Sequence, residues 1–288
     1  MYLGVHVSIS GKIYESIDRA EALGCTAMQI FSRNPRQWRQ HSVTKEDALE
    51  FRRRRKASGV KVVAVHIPYL LNLATTRESL FQKSIEAYVA DLKESSLLGA
   101  DYLVTHMGSF KDSTLALGLS QFVKALNIVF KESKDTADVK LLLENTAGSG
   151  HWLGAVFEHH KYIFENVKES QRLGVCLDTA HAFAAGWNIR NARDFDALLN
   201  YIDRCVGKKA LRLVHLNDSK STLCSHADRH THIGKGHIGI KGFKHIVNHP
   251  RLKDMAFVLE TPKDEPLDDK MNLDRVRRLV SQKSAMGL

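Results

Sequence analysis

Six residues that can bind a metal or move a proton each close an apolar run in this chain, one run after another. His66 follows residues 61–65, His106 follows 102–105, Glu144 follows 139–143, Asp178 follows 173–177, His215 follows 211–214 and Glu260 follows 256–259. A single acid in this position is ordinarily a helix cap, and a single histidine an ordinary loop or interior residue. Six in succession, none of them Lys or Arg, are different: carboxylates and desolvated imidazoles gathered in one place repel or go unsatisfied unless cations sit among them. Three further residues extend the set. His181 lies three positions after Asp178, and Asp228 and His230 flank Arg229, so that on extended chain the two ligand types point one way and Arg229 another.

This donor set is nitrogen and oxygen only, which suits Zn²⁺ and also Mn²⁺ or Fe²⁺. One ion with an open position takes about three or four protein ligands, so these candidates imply two or three ions. Such a cluster keeps a high local positive charge whose natural partner is a phosphate, and phosphodiester hydrolysis is the leading reaction class.

The elements that must position these residues follow from periodicity. Strand patterns at residues 3–7, 27–31, 61–66, 102–105, 139–143, 173–177, 211–214 and 256–259 alternate with helical ones, reaching Leu23, from Thr44 to Gly59, 77–98, 115–134, 156–167, 194–206, 243–247 and 267–283. Thr44 and Asp47 have N-cap spacing, and Gly24, Gly59 and Gly99 stop helices. Eight such pairs without a compositional break predict an α/β fold, a single (β/α)8 barrel over residues 1–288. All strands of that fold point one way. Residues just past their ends therefore gather at the C-terminal mouth, where barrel enzymes do their chemistry.

Lys and Arg number 42 against 32 Asp and Glu, a formal charge of +10, which favours a polyanionic partner or makes a solvated basic surface. No cleavable leader and no apolar run near the roughly 20 residues of a membrane helix stands out, so the expected compartment is the cytoplasm. The four cysteines, Cys25, Cys176, Cys205 and Cys224, form no Cys-x-x-Cys pair and read as reduced and structural. Gly234-Lys-Gly-His-Ile-Gly239 could hold backbone amides toward a phosphate but lacks a strand-turn-helix setting, and reads as a turn shaping the mouth. The cations at 52–56 read as a solvated outer helix face. Two other functions stay open. A one-metal sugar isomerase or epimerase would use Glu144, Asp178, His215 and Glu260 and leave the other ligands idle; a DNA-binding protein with structural metal would bind without cutting.

Eight blocks of the chain together resemble endonuclease IV, the metal-dependent apurinic/apyrimidinic endonuclease family. They are Gly4-Val-His-Val-Ser8, Ile30-Phe-Ser-Arg-Asn-Pro-Arg-Gln-Trp38, His66-Ile-Pro-Tyr-Leu-Leu-Asn-Leu73, Glu144-Asn-Thr-Ala-Gly148, Asp178-Thr-Ala-His-Ala-Phe-Ala-Ala-Gly186, His215-Leu-Asn-Asp-Ser-Lys220, Asp228-Arg-His230 and Leu259-Glu-Thr261. The resemblance implies that Glu144 bridges two zinc ions, one also held by His66 and His106 and the other by Asp178, His215 and Glu260. A third ion would be held by His181, Asp228 and His230. It implies cleavage of double-stranded DNA 5′ to an abasic site, leaving a 3′-hydroxyl and a 5′-deoxyribose phosphate, together with trimming of blocked 3′ ends. Glu144 and Glu260 are then the catalytic carboxylates, with Glu260 orienting or deprotonating the attacking water. Arg36, Tyr69, Leu70 and Arg229 match positions that meet DNA, and a wedge costs least where a base is missing. A monomer is the default. Met107, Phe110 and Ala180 depart from the usual family residues, which bears on substrate fit and not on the metal centre.

Overall fold

The computed structural model describes residues 1–33 and 43–280. In chain order its strands are β1 (Tyr2–Val5), β2 (Ala27–Phe31), β3 (Val62–His66), β4 (Tyr102–His106), β5 (Lys140–Glu144), β6 (Leu173–Asp178), β7 (Leu211–His215), two short pieces β8 (Asp218–Ser219) and β9 (His230–Thr231), and β10 (Ala256–Leu259). Around them run α1 (Glu15–Ala22), α2 (Lys45–Ala57), α3 (Glu78–Leu98), α4 (Leu115–Glu132), α5 (Phe157–Asn166), α6 (Thr179–Ala184), α7 (Ala192–Val206), α8 (Gly239–Val247) and α9 (Asp268–Leu279). Eight strands pair in parallel in the order β1-β10-β7-β6-β5-β4-β3-β2. The two ends of that order meet, because the Thr26 amide donates to Leu3 O at 2.8 Å and the Val7 amide to Gln29 O at 2.7 Å. The result is a nearly closed (β/α)8 barrel, as the alternating pattern predicts.

Side chains of a strand alternate between faces, and that step of two decides what enters the barrel. Ala27, Ala64, Val104, Leu142, Cys176, Leu213, Ala256 and Val258 pack together as the interior layer, apart from the larger cluster under the helices. Two residues further along the same faces come Gln29, His66, His106, Glu144, Asp178, His215 and, from Val258, Glu260. The apolar layer is thus the floor on which the polar cluster stands. The β1–β2 seam is tight: a Cβ on Gly4 would lie 1.6 Å from Ala27 O, so only glycine fits there.

The structure adds detail to the sequence pattern. α1 begins at Glu15. Residues 179–184 form a further short helix, for which the pattern gives no separate helical period. The cations at 52–56 are largely tied down: Arg52 donates to Ser96 O, Arg53 and Arg54 pair with Glu50, Arg54 also reaches Asp18, and Arg55 pairs with Asp101 at 2.6 Å. Arg52, Arg54 and Arg55 tie α2 to its neighbours, while Arg52, Arg53 and Lys56 stay exposed on the solvated face. No helix among the described residues is long and apolar enough to cross a membrane.

Candidate metal centre

Glu144 stands at the middle of the mouth with no solvent exposure. One of its oxygens, Oε2, lies 3.2 Å from His66 Nε2 and 3.1 Å from His106 Nε2; the other, Oε1, lies 3.1 Å from His215 Nδ1 and 3.3 Å from His181 Nδ1. Glu260 Oε2 approaches His215 Nδ1 at 3.3 Å. Asp178 divides its work. Its Oδ1 caps α6 by accepting the His181 amide at 2.8 Å, while Oδ2 accepts Asn217 Nδ2 at 2.6 Å and faces His230 Nε2 at 3.6 Å. The cap and the cluster, alternatives when read from sequence, are both present.

Asp228 sits beside both remaining histidines, Oδ1 being 3.1 Å from His181 Nε2 and 3.4 Å from His230 Nε2. The antiparallel pair β8–β9 sets Ser219 against His230 and so returns this loop to the mouth. Its anchor is the glycine loop: the amides of Gly234, Gly236, Ile238 and Gly239 converge on the buried Asp218 carboxylate at 2.8 to 3.4 Å. Those amides do hold an anion, and the anion is the protein's own.

The second nitrogen of four of these rings is already committed. His66 Nδ1 donates to Ile67 O, His181 Nδ1 to Asn145 O and His230 Nδ1 to Glu260 O, while His215 Nε2 meets Gln29 Oε1 at 2.8 Å. A carbonyl oxygen only accepts, so each ring keeps its proton on that side and turns a lone pair toward the carboxylates. His181 Nε2 and His230 Nε2 are buried with no hydrogen bond at all. Lone pairs facing carboxylates call for a cation. The spacing suits one, since two ligands on a tetrahedral ion with bonds of about 2.0–2.1 Å stand roughly 3.3 Å apart. Three groups could each hold an ion: His66, His106 and Glu144; Glu144, Asp178, His215 and Glu260; and Asp178, His181 and His230, with Asp228 beside the last.

Electrostatics says the same. Burial alone would raise Glu144 and Glu260, yet the histidines around them, His106 and His215 for Glu144 and His215 and His6 for Glu260, hold both carboxyls well below the usual range. Burial would likewise depress His181 and His215, but nearby negative charge, chiefly Asp178 for His181 and Glu260 with Glu144 for His215, pushes both well above the ordinary imidazole value. The carboxylates keep their charge and the rings draw in a positive one, whether a proton or a metal.

A cavity of about 310 Å³ opens over the cluster, bounded by His66, His106, His181, Asp228, His230 and Glu260 and by Phe31, Tyr69 and Lys263.

The family model for a xylose isomerase-like TIM barrel matches residues 17–279. A probable endonuclease 4 from Halothermothrix orenii is 42% identical over 278 residues, 96% of this chain and 99% of that protein. The chain belongs to the endonuclease IV family. With that family it is a hydrolytic nuclease of DNA repair. The crystal structure of endonuclease IV from Thermus thermophilus superposes with a TM-score of 0.87 at 37% identity, covering 97% of this chain and 98% of that one. A D-tagatose 3-epimerase-like protein, at 20% identity and a TM-score of 0.70, shares the fold. The isomerase alternative therefore accounts for the architecture, and the family accounts for the chain.

The DNA-facing candidates fall in different places. Tyr69 is 64% exposed at the rim, its ring 6.5 Å from that of His106, whereas Leu70 is partly buried against the core. Arg229 is exposed on the loop between its two neighbours in the cluster. Arg36 lies outside the described residues. Met107 and Ala180 are buried, and Phe110 packs edge-on against His151.

Sequence reasoning missed His6, Gln29, Asn145 and Asn217. Asn145 and Asn217 tie strand ends together, Asn145 accepting the Asp178 amide at 2.7 Å and Asn217 the Glu260 amide at 2.7 Å. His6 and Gln29 were findable, because the two-residue step that leads from the floor to His66 leads on β1 from Gly4 to His6 and on β2 from Ala27 to Gln29.

Proposed function

We propose that this protein hydrolyses the phosphodiester 5′ to an abasic site in double-stranded DNA, leaving a 3′-hydroxyl and a 5′-deoxyribose phosphate, and trims blocked 3′ ends. Three zinc ions per chain serve it, with Mn²⁺ or Fe²⁺ able to take some of the places. His66, His106 and Glu144 would hold the first; Glu144, Asp178, His215 and Glu260 the second; His181, Asp228 and His230 the third. The observation that carries this reading is the set of imidazole lone pairs, each fixed by a hydrogen bond on its far side, facing the ionised carboxylates of one mouth.

When bound, the ions supply a water activated near neutral pH and positive charge opposite the phosphate oxygens. The chain's own groups do the rest. Glu144 holds two parts of the centre at fixed separation through its two oxygens. Glu260, at the cavity wall, orients the attacking water or takes its proton. Tyr69 offers an exposed ring at the rim to the unstacked gap beside an abasic sugar, with Leu70 behind it and Arg36 the third residue matching that wedge, and Arg229 contacts the DNA. One catalytic domain spans residues 1–288, working as a monomer in the cytoplasm.

The test is a labelled duplex carrying one abasic analogue, incubated with zinc-loaded protein beside an intact duplex and an EDTA-treated control, with zinc assayed on the same batch. Cleavage only 5′ to the lesion, abolished by EDTA, with about three ions per chain is the expected result. No cleavage and about one ion would return the chain to a sugar-isomerase role.

A further inference from the structure

We propose that Gln29 is a positioning residue of this centre, one amide that fixes both the ring of His215 and the carboxylate of Glu260. The inference rests on the metal reading above and names the group that orients its second site.

Gln29 is fully buried on β2, one strand beyond His66 and across the barrel from Glu144. Its Nε2 lies 2.6 Å from Glu260 Oε1 and 3.0 Å from His6 Nδ1, and its Oε1 lies 2.8 Å from His215 Nε2. These contacts settle which end of the amide is which. An ionised carboxylate only accepts, so the end facing Glu260 is the NH₂, and both of its protons are then used, one on Glu260 and one on the His6 lone pair. The carbonyl end is left facing His215 and must receive a proton from Nε2. That choice decides the chemistry of the ring: with Nε2 protonated, Nδ1 carries the lone pair, and Nδ1 is the atom 3.1 Å from Glu144 and 3.3 Å from Glu260. His66, His181 and His230 take this order from backbone carbonyls. His215 takes it from a side chain, and the same side chain restrains Glu260, the proposed partner of the attacking water. Outer partners of this kind typically contribute about 10–100-fold in metal affinity or activity.

Two variants separate the arms. Gln29→Met keeps the length and removes every hydrogen bond. Gln29→Glu keeps an acceptor for His215 and replaces the donor to Glu260 by a like charge. Zinc-loaded wild type and both variants are titrated with a competing chelator, and kcat and KM are measured on the abasic duplex. Both variants are expected to lose one of about three ions at chelator concentrations that spare the wild type, with about 10–100-fold weaker binding at that site, the other two retained, and a fall in kcat at unchanged KM. Circular dichroism and thermal melting report whether each variant folds. Variants that melt lower yet bind zinc and cut as wild type does make Gln29 a packing residue and overturn the proposal alone. Wild-type protein that binds no zinc and leaves the abasic duplex intact overturns the metal reading and this inference with it.

Discussion

His160 offers a quantitative test of how the barrel is assembled behind Glu144. It lies on α5, fully buried near the Leu143 backbone, with the Phe157 ring 4.7 Å away, and neither ring nitrogen makes a hydrogen bond. Burial, helped by the charge of His159, pulls it down from 6.5 to about 3, and the neighbouring backbone groups of Val156 and Leu143 offset little of this. The folded protein therefore prefers the neutral ring. Between the two values the unfolded chain binds more protons than the folded one, so the contribution is fully present above about pH 6.5 and drains away as pH falls. Each unit is worth about 1.4 kcal/mol, which amounts to about 2 kcal/mol by about pH 5. His160→Leu, similar in volume, removes the titration and should cost less than about 1.5 kcal/mol near neutrality. Urea unfolding of both proteins in EDTA at about pH 7.5 and about pH 5 reads the difference directly. The variant should gain about 2 kcal/mol relative to wild type over that range. Two stability curves that run parallel would refute the buried, neutral assignment.

Glu144→Ala should lose metal and activity together, because one carboxylate stands between two of the three groups; unchanged zinc content in the purified variant would sink the three-ion assignment. Tyr69→Ala should leave zinc content intact and weaken the preference for abasic over intact duplex by about 5–150-fold, the worth of one stacking contact at about 1–3 kcal/mol, as read from competition binding. Selectivity that does not move would put the wedge elsewhere. Asp91→Ala removes the carboxylate that accepts from Ser32 and pairs with the buried Arg33 at 3.1 Å; denaturant unfolding should show a loss of about 3–5 kcal/mol, and a loss near zero would mean the pair is replaceable.

What could be read from the sequence was whatever obeys a local period. Strand ends at His66, His106, Glu144, Asp178, His215 and Glu260 were legible because an apolar run that stops on a ligand type announces both the strand and the residue. α6 was not legible, since all six of its residues are buried and no polar face marks a helix. β8 and β9 are two residues each, too short for any pattern, yet they bring Asp228 and His230 to the mouth. The glycine loop showed its appetite for an anion but not that Asp218 satisfies it, because that partner is chosen by the tertiary fold. The place of Gln29 at the mouth follows from the strand step, but its role does not: an amide inside an apolar strand is not a ligand type, and that role appears only once Glu260, 231 residues away, lies beside it.

The seam between β1 and β2 sets a timetable for making the enzyme. β1 is hydrogen-bonded to β10 on its other side, with Leu3 opposite Phe257, so the strand that emerges first gains its second neighbour only after about 250 further residues. At typical synthesis rates of about 5–20 residues per second, that wait lasts roughly 10–50 s. Glu260 arrives at the end of the same strand, so a ribosome-bound chain carries His66, His106 and Glu144 early but stays without its last carboxylate until the ring of strands can shut. The proposed metal centre is therefore assembled only when the barrel is whole.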